Sequence, residues 1–172
     1  LSLHDALPIW RFVVVKDQEI KNRLAAAAYN QRIISKAPVV IAVYGDINAW
    51  KSVPARTSEL VKHGCFGMDV KRAADKVLVD WPNIELAITT SKNATIAATM
   101  LMLAAVNCGL STCWVKLMKD KDVDKVLNVP ASYVSVGLFP IAYPDEEPKA
   151  RPRLDLSTQV FLDNFGGPYN ID

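Results

Sequence analysis

The chain of 172 residues has an apolar content of 51% and a formal net charge of +2. This composition is typical of a single globular domain and excludes an intrinsically disordered chain. Lysine and arginine residues are scattered among acidic ones, so no nucleic-acid partner is expected. The longest apolar run covers residues 96–106, which is too short to span a bilayer, and no membrane partner is expected either.

The first half of the chain predicts two strands, a helix and an irregular excursion. Residues 11–16 are rich in β-branched and aromatic side chains, and residues 37–46 form an apolar run typical of a strand buried on both faces. Asp17 predicts the N-cap of a helix between these strands. The inner face of this helix is predicted to hold Ile20, Leu24, Ala27 and Ala28. Residues 46–82 contain prolines and glycines, which predict a loop-rich excursion or lid with one charged helical stretch.

The second half begins with a long predicted helix. Asn83 predicts the cap of a helix that runs to about Asn107, and Gly109 is the glycine expected to end it. Apolar residues surround the second half of this helix, which is therefore predicted to be buried on every side. A short strand within residues 111–117 and a short helix capped by Asp120 are predicted next.

The last predicted strand covers residues 133–144, and Pro140 within it predicts an edge position or a bulge. A polar, proline-rich arm follows, and residues 156–165 predict an amphipathic helix. Strands and helices mix without strict alternation, which favours an α+β fold with helices packed on a sheet.

Cysteines and histidines limit the chemistry that side chains can perform. Cys108 and Cys113 are predicted to be small core residues in a reducing compartment, which indicates a cytoplasmic location. His4 and His63 lack the spacing of metal ligands, so no metal site is expected. The common dinucleotide, P-loop, serine-hydrolase and zinc-protease motifs are absent from the sequence, so any chemistry is expected to depend on a bound cofactor.

Five segments in series resemble one protein family. They are "WRFVVVKD", "AAAAYNQRIISKAPVVIAVYGD", "MLMLAAVNCGLSTCWV", "VLNVP" and "RPRLDLSTQVFLDNFG". In this order and at this spacing they resemble the FMN-dependent nitroreductase family over residues 10–166, with residues 47–81 matched only loosely. The resemblance implies a nitroreductase-like α+β fold, in which helices flank a central mixed or antiparallel sheet and a long buried helix lies at the centre.

The first nine residues, "LSLHDALPI", resemble nothing that the family places before the first strand. Family members carry there a helix with an Arg- and Ser-rich phosphate clamp and a loop that ends in Gln-Pro-Trp. Residues 1–9 look like translated sequencing-adapter DNA, so we expect a non-native leader, one domain at residues 10–166 and a tail at residues 167–172. One half of the usual phosphate clamp is then expected to be missing from this chain.

The arm that follows the last strand carries two arginines that the resemblance assigns to FMN. Arg151 and Arg153 match the family's basic pair that reaches the FMN phosphate, a dianion that requires fixed cations or N–H donors. The alternative is a solvated basic linker whose arginines pair with the nearby acidic residues Asp145, Glu146 and Glu147.

Residues 110–116 match the strand that passes the flavin ring, where backbone N–H groups contact N5 and O4. The candidates in this strand are Leu110, Ser111, Trp114, Val115 and Lys116. Trp114 is expected either in the core or near the dimethylbenzene edge of the ring. Lys116 stands where the family often has glycine, so its side chain either crowds the ring or points away and leaves only its N–H in use.

A third group of candidates is the polar triplet Asn30, Gln31 and Arg32. The family sends polar groups from this position toward the pyrimidine end of the flavin. Arg32 is the candidate cation, because a fixed positive charge stabilises negative charge that develops there. The alternative is an ordinary polar helix end.

The resemblance implies an NAD(P)H oxidoreductase in which FMN passes electrons to nitroaromatic, quinone or enone acceptors. No side chain is expected to be catalytic, since the flavin carries the chemistry. The family also implies a homodimer with FMN at its interface. The alternatives are a reductive dehalogenase or flavin-destroying enzyme of the same fold, and a non-catalytic homologue that has lost its flavin.

Overall fold

The computed structural model describes residues 8–168, although not the side chains of residues 77–80. The expected leader and tail therefore lie outside the described residues, apart from two residues at the inner end of each. No helix in the described part of the chain combines the length and the apolarity that a membrane span requires.

Ile9, at the inner end of the expected leader, packs as part of the core. Its side chain is fully buried in a cluster with Trp50 and Val53. Its carbonyl also accepts a hydrogen bond of 2.7 Å from the Asp46 N–H group. The packed chain thus begins before Trp10.

Four strands form one antiparallel sheet in the order β1-β2-β4-β3. They are β1 (Trp10–Val15), β2 (Val39–Asp46), β3 (Ser111–Thr112) and β4 (Tyr133–Ala142). The two inner strands, β2 and β4, are the long apolar runs of the sequence, and every residue in them is buried or half-buried. The predicted central antiparallel sheet is confirmed.

Pro140 lies in an inner strand, so the predicted edge position is wrong. On the side of β4 that faces β3, the pairings join Thr112 to Ile141 and Val115 to Leu138. Pro140 falls in the interruption between these two pairings, where its missing N–H removes no ladder hydrogen bond. The predicted bulge is present nearer the middle of the strand, where the register with β2 shifts.

Helices cover both faces of the sheet. The α-helices of residues 8–168 are α1 (Gln18–Ala27), α2 (Arg32–Lys36), α3 (Val53–Lys62), α4 (Met68–Asp80), α5 (Asn83–Asn107) and α6 (Asp120–Leu127), and the 3-10 helices are Ile47–Ser52 and Leu156–Thr158. The helices α1 and α6 pack on one face, and α5 packs on the other. Asp17 caps α1 as predicted, because its Oδ1 accepts the N–H of Ile20 at 2.8 Å.

Residues 46–82 are largely helical and not loop-rich, since they contain a 3-10 helix, α3 and α4. Pro54 lies in the first turn of α3, where its missing N–H has no intrahelical partner to lose. Gly64 follows the last turn of α3 with a left-handed φ of 70°. The prolines and glycines of this segment therefore mark helix boundaries.

The long helix α5 buries one face, so the predicted burial on every side is wrong for the single chain. Its small residues Ala94, Ala98 and Ala105 are buried toward the sheet side. The opposite face carries an exposed stripe, called the α5 stripe below, of Ile96, Met100, Leu103 and Val106. These four positions share one side of the helix, because successive residues are turned by about 100°. Gly109 ends the helix as predicted, with a φ of 72°.

Further predictions are wrong. Asn83 and Asp120 are the first residues of α5 and α6 and not their N-caps, which are Pro82 and Lys119. Residues 156–165 contain one 3-10 turn and no amphipathic helix, because Asp155 draws the N–H and the hydroxyl of Ser157 into a local turn. Cys108 and Cys113 are exposed and do not belong to the core. Cys108 follows the last turn of α5, and Cys113 lies where β3 leaves the ladder with β4.

Candidate functional site

Two of the three groups of candidate residues meet at the loop that follows β3. The turn between α1 and α2, residues 29–31, lies against the loop at residues 116–119; these segments are called the 29–31 turn and the 116–119 loop below. The Gln31 Nε2 atom donates to the Leu117 carbonyl at 2.7 Å, and the Lys119 N–H donates to the Ala27 carbonyl at 2.9 Å. The Lys119 ammonium also lies 5.7 Å from the centroid of the Tyr29 ring. Segments more than 80 residues apart in sequence are thus joined directly.

The backbone of the 29–31 turn is strained. Tyr29 and Asn30 have φ angles of 56° and 59°, a region that costs a residue with a Cβ about 1–2 kcal/mol. The Asn30 N–H donates to the Ala25 carbonyl at 2.8 Å and closes the end of α1, while the side chains of Asn30 and Arg32 are exposed. Strained, exposed polar positions of this kind concentrate at ligand sites.

Gln31 does not extend freely toward a ligand. Its Nε2 atom donates both to the Leu117 carbonyl and to the Ala28 carbonyl, the latter at 3.0 Å. The two N–H groups of the amide are therefore engaged within the protein. Only the amide oxygen of Gln31 is left for a ligand, and its expected place at the pyrimidine end of a flavin stays a prediction.

Val115 is buried and pairs with the inner strand β4. Its N–H donates to the Leu138 carbonyl at 2.9 Å, and its carbonyl accepts the Leu138 N–H at 3.0 Å. The next donor along the chain, the Lys116 N–H, makes no backbone hydrogen bond within residues 8–168. Of the donors expected along this strand, Lys116 N–H is therefore available where Val115 N–H is not.

The Lys116 side chain turns toward α6. Its Nζ atom lies 2.7 Å from the Asp120 Oδ1 atom and 3.4 Å from the Ser135 carbonyl. Both members of this ion pair are about half exposed, so the pair contributes little to stability. This is the arrangement expected if Lys116 contributes only its N–H to a ligand.

Trp114 is held against β4 with part of its surface exposed. Its Nε1 atom donates to the Val136 carbonyl at 3.0 Å, and its ring centroid lies 5.6 Å from that of Phe139. A Cβ atom at Gly137 would lie 2.5 Å from the Trp114 Nε1 atom, so only glycine leaves room for the indole. Trp114 is 38% exposed as a residue and therefore leaves part of its surface open to a ligand.

The residues before Trp114 differ in how far they are buried. Leu110 is half-buried and Ser111 is exposed. The hydroxyl of Thr112 is buried and has no hydrogen-bond partner among the described residues. A buried polar atom without a partner is typical of a site that a ligand or water completes.

The two arginines of the arm form no hydrogen bond or ion pair with this site within the described residues. Arg151 and Arg153 are exposed and lie in a stretch without regular secondary structure. Within the described residues neither one forms an ion pair, so the alternative pairing with acidic neighbours of the arm is not seen. Hydrogen bonds therefore join the second and third candidate groups, and none is seen between the arm and either group among the described residues.

The sequence did not predict one polar pair, which involves the helix that follows the 116–119 loop. The Tyr44 hydroxyl donates to the Asp124 Oδ1 atom at 3.0 Å. Burial, and then the charge of Asp124, raises the pKa of Tyr44. Burial also raises the pKa of Asp124, although the hydrogen bond from Tyr44 opposes this. The signal in the sequence was the (i, i+4) spacing of Lys116, Asp120 and Asp124, which indicates that these charged residues lie near one another.

Comparison with known proteins assigns the chain to a family. The sequence model of the nitroreductase family matches residues 6–143, beginning before Trp10 and ending before Arg151. A Bacillus subtilis relative described as a putative NAD(P)H nitroreductase, YodC, is 28% identical over 150 residues, which are 86% of this chain and 74% of that protein. A Thermus thermophilus NADH dehydrogenase is 27% identical over 154 residues, 88% of this chain and 74% of the relative.

Solved structures share the fold. A Streptococcus mutans nitroreductase-like protein superposes with a TM-score of 0.79 at 18% identity, over 92% of this chain and 78% of that one. A protein from Exiguobacterium sibiricum, solved in complex with FMN, gives a TM-score of 0.77 at 23% identity, over 90% and 76% of the two chains. The expected nitroreductase-like fold is confirmed. The chain belongs to the nitroreductase family of oxidoreductases.

Proposed function

We propose that the chain is an FMN-dependent oxidoreductase that passes electrons from NADH or NADPH to nitroaromatic, quinone or enone acceptors. One structural observation supports this most strongly. The Lys116 N–H makes no backbone hydrogen bond within residues 8–168, although the Val115 N–H beside it is fixed in the sheet. A rigidly held and unengaged donor is the group that a flavin ring nitrogen requires. The FMN in the Exiguobacterium sibiricum structure and the name of the Bacillus subtilis relative support the same function.

The candidate residues of the 29–31 turn, the strand at residues 110–116 and the arm suit the different parts of a flavin. The exposed part of Trp114 offers a surface for the dimethylbenzene end, and Asn30 and Arg32 are exposed on the 29–31 turn for the polar pyrimidine end. Arg151 and Arg153 supply two exposed cations for the phosphate. Bound FMN would supply the acceptance and return of a hydride, and the protein residues bind and orient it.

We also propose a homodimer with the FMN site at its interface. The α5 stripe exposes four large apolar residues on one side of a 25-residue helix. An exposed contiguous apolar surface of this kind is typical of protein interfaces. In a dimer the arm of the partner subunit could complete a site that a single chain leaves open.

A titration of the purified chain with FMN tests this function. Flavin fluorescence is expected to be quenched to saturation, and the loaded protein should then oxidise NADH or NADPH and reduce a nitroaromatic compound. A folded chain that binds no FMN would contradict the proposal and would favour the homologue without flavin. Bound FMN without any NAD(P)H oxidation would contradict the oxidoreductase function alone.

A further inference from the structure

We propose that Gln31 is a positioning residue whose amide N–H groups fix the direction of the Lys116 N–H toward the flavin. This rests on the proposed function, because it concerns the same flavin site. The first evidence is the chemistry of its contacts. Both partners of the Gln31 amide, Ala28 and Leu117, present carbonyl oxygens, which can only accept. The amide nitrogen must therefore face both of them, and Gln31 acts as a double donor.

The second line of evidence is the place at which the Gln31 amide holds the backbone of the 116–119 loop. The Lys116 N–H lies between two anchor points of the backbone. On one side, Val115 is paired with Leu138 in the sheet. On the other side, the carbonyl of Leu117 is held by Gln31. Removal of the second anchor would free the peptide units on either side of Leu117 and widen the range of directions of the Lys116 N–H.

The third evidence is that the anchor itself is held in place. Gln31 follows two residues with left-handed φ angles, Tyr29 and Asn30, and its hydrogen bond to the Ala28 carbonyl spans them. The Lys119 N–H binds the Ala27 carbonyl on the other side of the turn. The strained turn is therefore a fixed platform, and Gln31 transmits its position to the 116–119 loop.

A second glutamine provides a matched control. The Nε2 atom of Gln18 donates to the Asn22 Oδ1 atom and to the Ser35 carbonyl, each at 2.9 Å. It joins α1 to α2 as Gln31 joins the turn to the loop, but it makes no hydrogen bond to the 116–119 loop. Gln18→Met therefore removes a comparable bridge at a different place.

The experiment compares Gln31→Met, Gln31→Lys and Gln18→Met in the full chain. FMN affinity, the midpoint potential of bound FMN and the unfolding temperature are measured for each variant. Gln31→Met is expected to bind FMN about tenfold more weakly, the loss for roughly one well-placed hydrogen bond. Its midpoint potential should rise, since a donor aimed at the oxidised ring nitrogen favours oxidised flavin. Gln31→Lys keeps a donor for both carbonyls and should restore affinity at high salt, where its added charge is screened.

Gln18→Met is expected to leave affinity and potential unchanged. If Gln31→Met keeps the FMN affinity and midpoint potential of wild type, the role of Gln31 is overturned but the proposed function is not. The same holds if Gln18→Met and Gln31→Met change the midpoint potential equally. A wild-type chain that binds no FMN would overturn the proposed function together with this role. If Gln31→Met does not fold, Gln31→Leu, which also cannot donate and adds no charge, gives the same comparison.

Discussion

The Tyr44 hydroxyl binds the Asp124 carboxylate at 3.0 Å and thereby joins the inner strand β2 to α6. Asp124 lies one helical turn after Asp120, which pairs with Lys116 at the start of the 116–119 loop. A partly buried hydrogen bond thus supports the helix against which the candidate flavin site is built. The raised pKa of Asp124 makes this support depend on pH.

Asp124→Asn is expected to change the pH dependence of stability. Because burial raises the folded-state pKa of Asp124 above its unfolded value, the folded state binds more protons than the unfolded state between the two pKa values. This contribution to stability is complete below the unfolded pKa and is lost as pH rises through the folded pKa. Urea unfolding between about pH 3 and pH 7 should therefore show the variant gaining stability relative to wild type as pH rises. A difference that does not change with pH would contradict the raised pKa.

Lys116→Ala separates the side chain of Lys116 from its N–H. The side chain pairs with Asp120 at a half-exposed position, so its loss should reduce stability by no more than about 1 kcal/mol. FMN affinity should stay within about threefold of wild type, since the backbone donor is retained. Isothermal titration with FMN measures this, and Lys125→Ala, another exposed lysine paired with an aspartate, is the control. A large gain in affinity would show that the lysine crowds the ring instead.

Arg153→Ala is expected to weaken FMN binding by about 1.5–3 kcal/mol, the usual contribution of a hydrogen bond to a charged group. Arg151→Ala should have an effect in the same range. Arg23, an exposed arginine of α1, provides the control variant Arg23→Ala. Fluorescence titration with FMN distinguishes these variants, and riboflavin, which lacks the phosphate, should bind all of them equally. Unchanged FMN affinity in both arm variants would remove the arm from the site.

Leu103→Glu tests the proposed dimer. Leu103 lies in the middle of the α5 stripe and is 66% exposed in the single chain. A charge there would be buried without a partner in a dimer, so the variant should be monomeric by light scattering at concentrations where wild type is dimeric. The control variant is Met68→Glu, since Met68 is an exposed apolar residue of α4 outside the stripe. A wild-type chain that is itself monomeric at high concentration would contradict the dimer.

The sequence predicted the central sheet, the start of α1 and the end of α5, because local signals governed them. Asp17 and Gly109 act where capping chemistry required, and the apolar runs of β2 and β4 became the inner strands. Pro140 misled because the interruption of the ladder between β3 and β4 is a tertiary feature that no local pattern contains. The helix α5 misled in a different way, because its exposed apolar face, which we propose packs on a partner chain, has the same sequence pattern as a buried face.

The sequence named candidate residues for the site but did not indicate which of their donors are engaged within the protein. The resemblance selected Gln31, Val115 and Lys116, but which of their donors are already used depends on contacts with Leu117 and Leu138. Such long-range hydrogen bonds have no signal in a single sequence. The position of Arg153 relative to the 116–119 loop depends in turn on the partner subunit that we propose.

The central claim is that the flavin ring lies at the corner of the 29–31 turn and the 116–119 loop. Amide chemical shifts recorded by NMR during an FMN titration test it most directly. We expect the largest shifts at Lys116 and at its neighbours in these two segments, with saturation at one FMN per chain. Saturable FMN binding that leaves the Lys116 amide unshifted would contradict it.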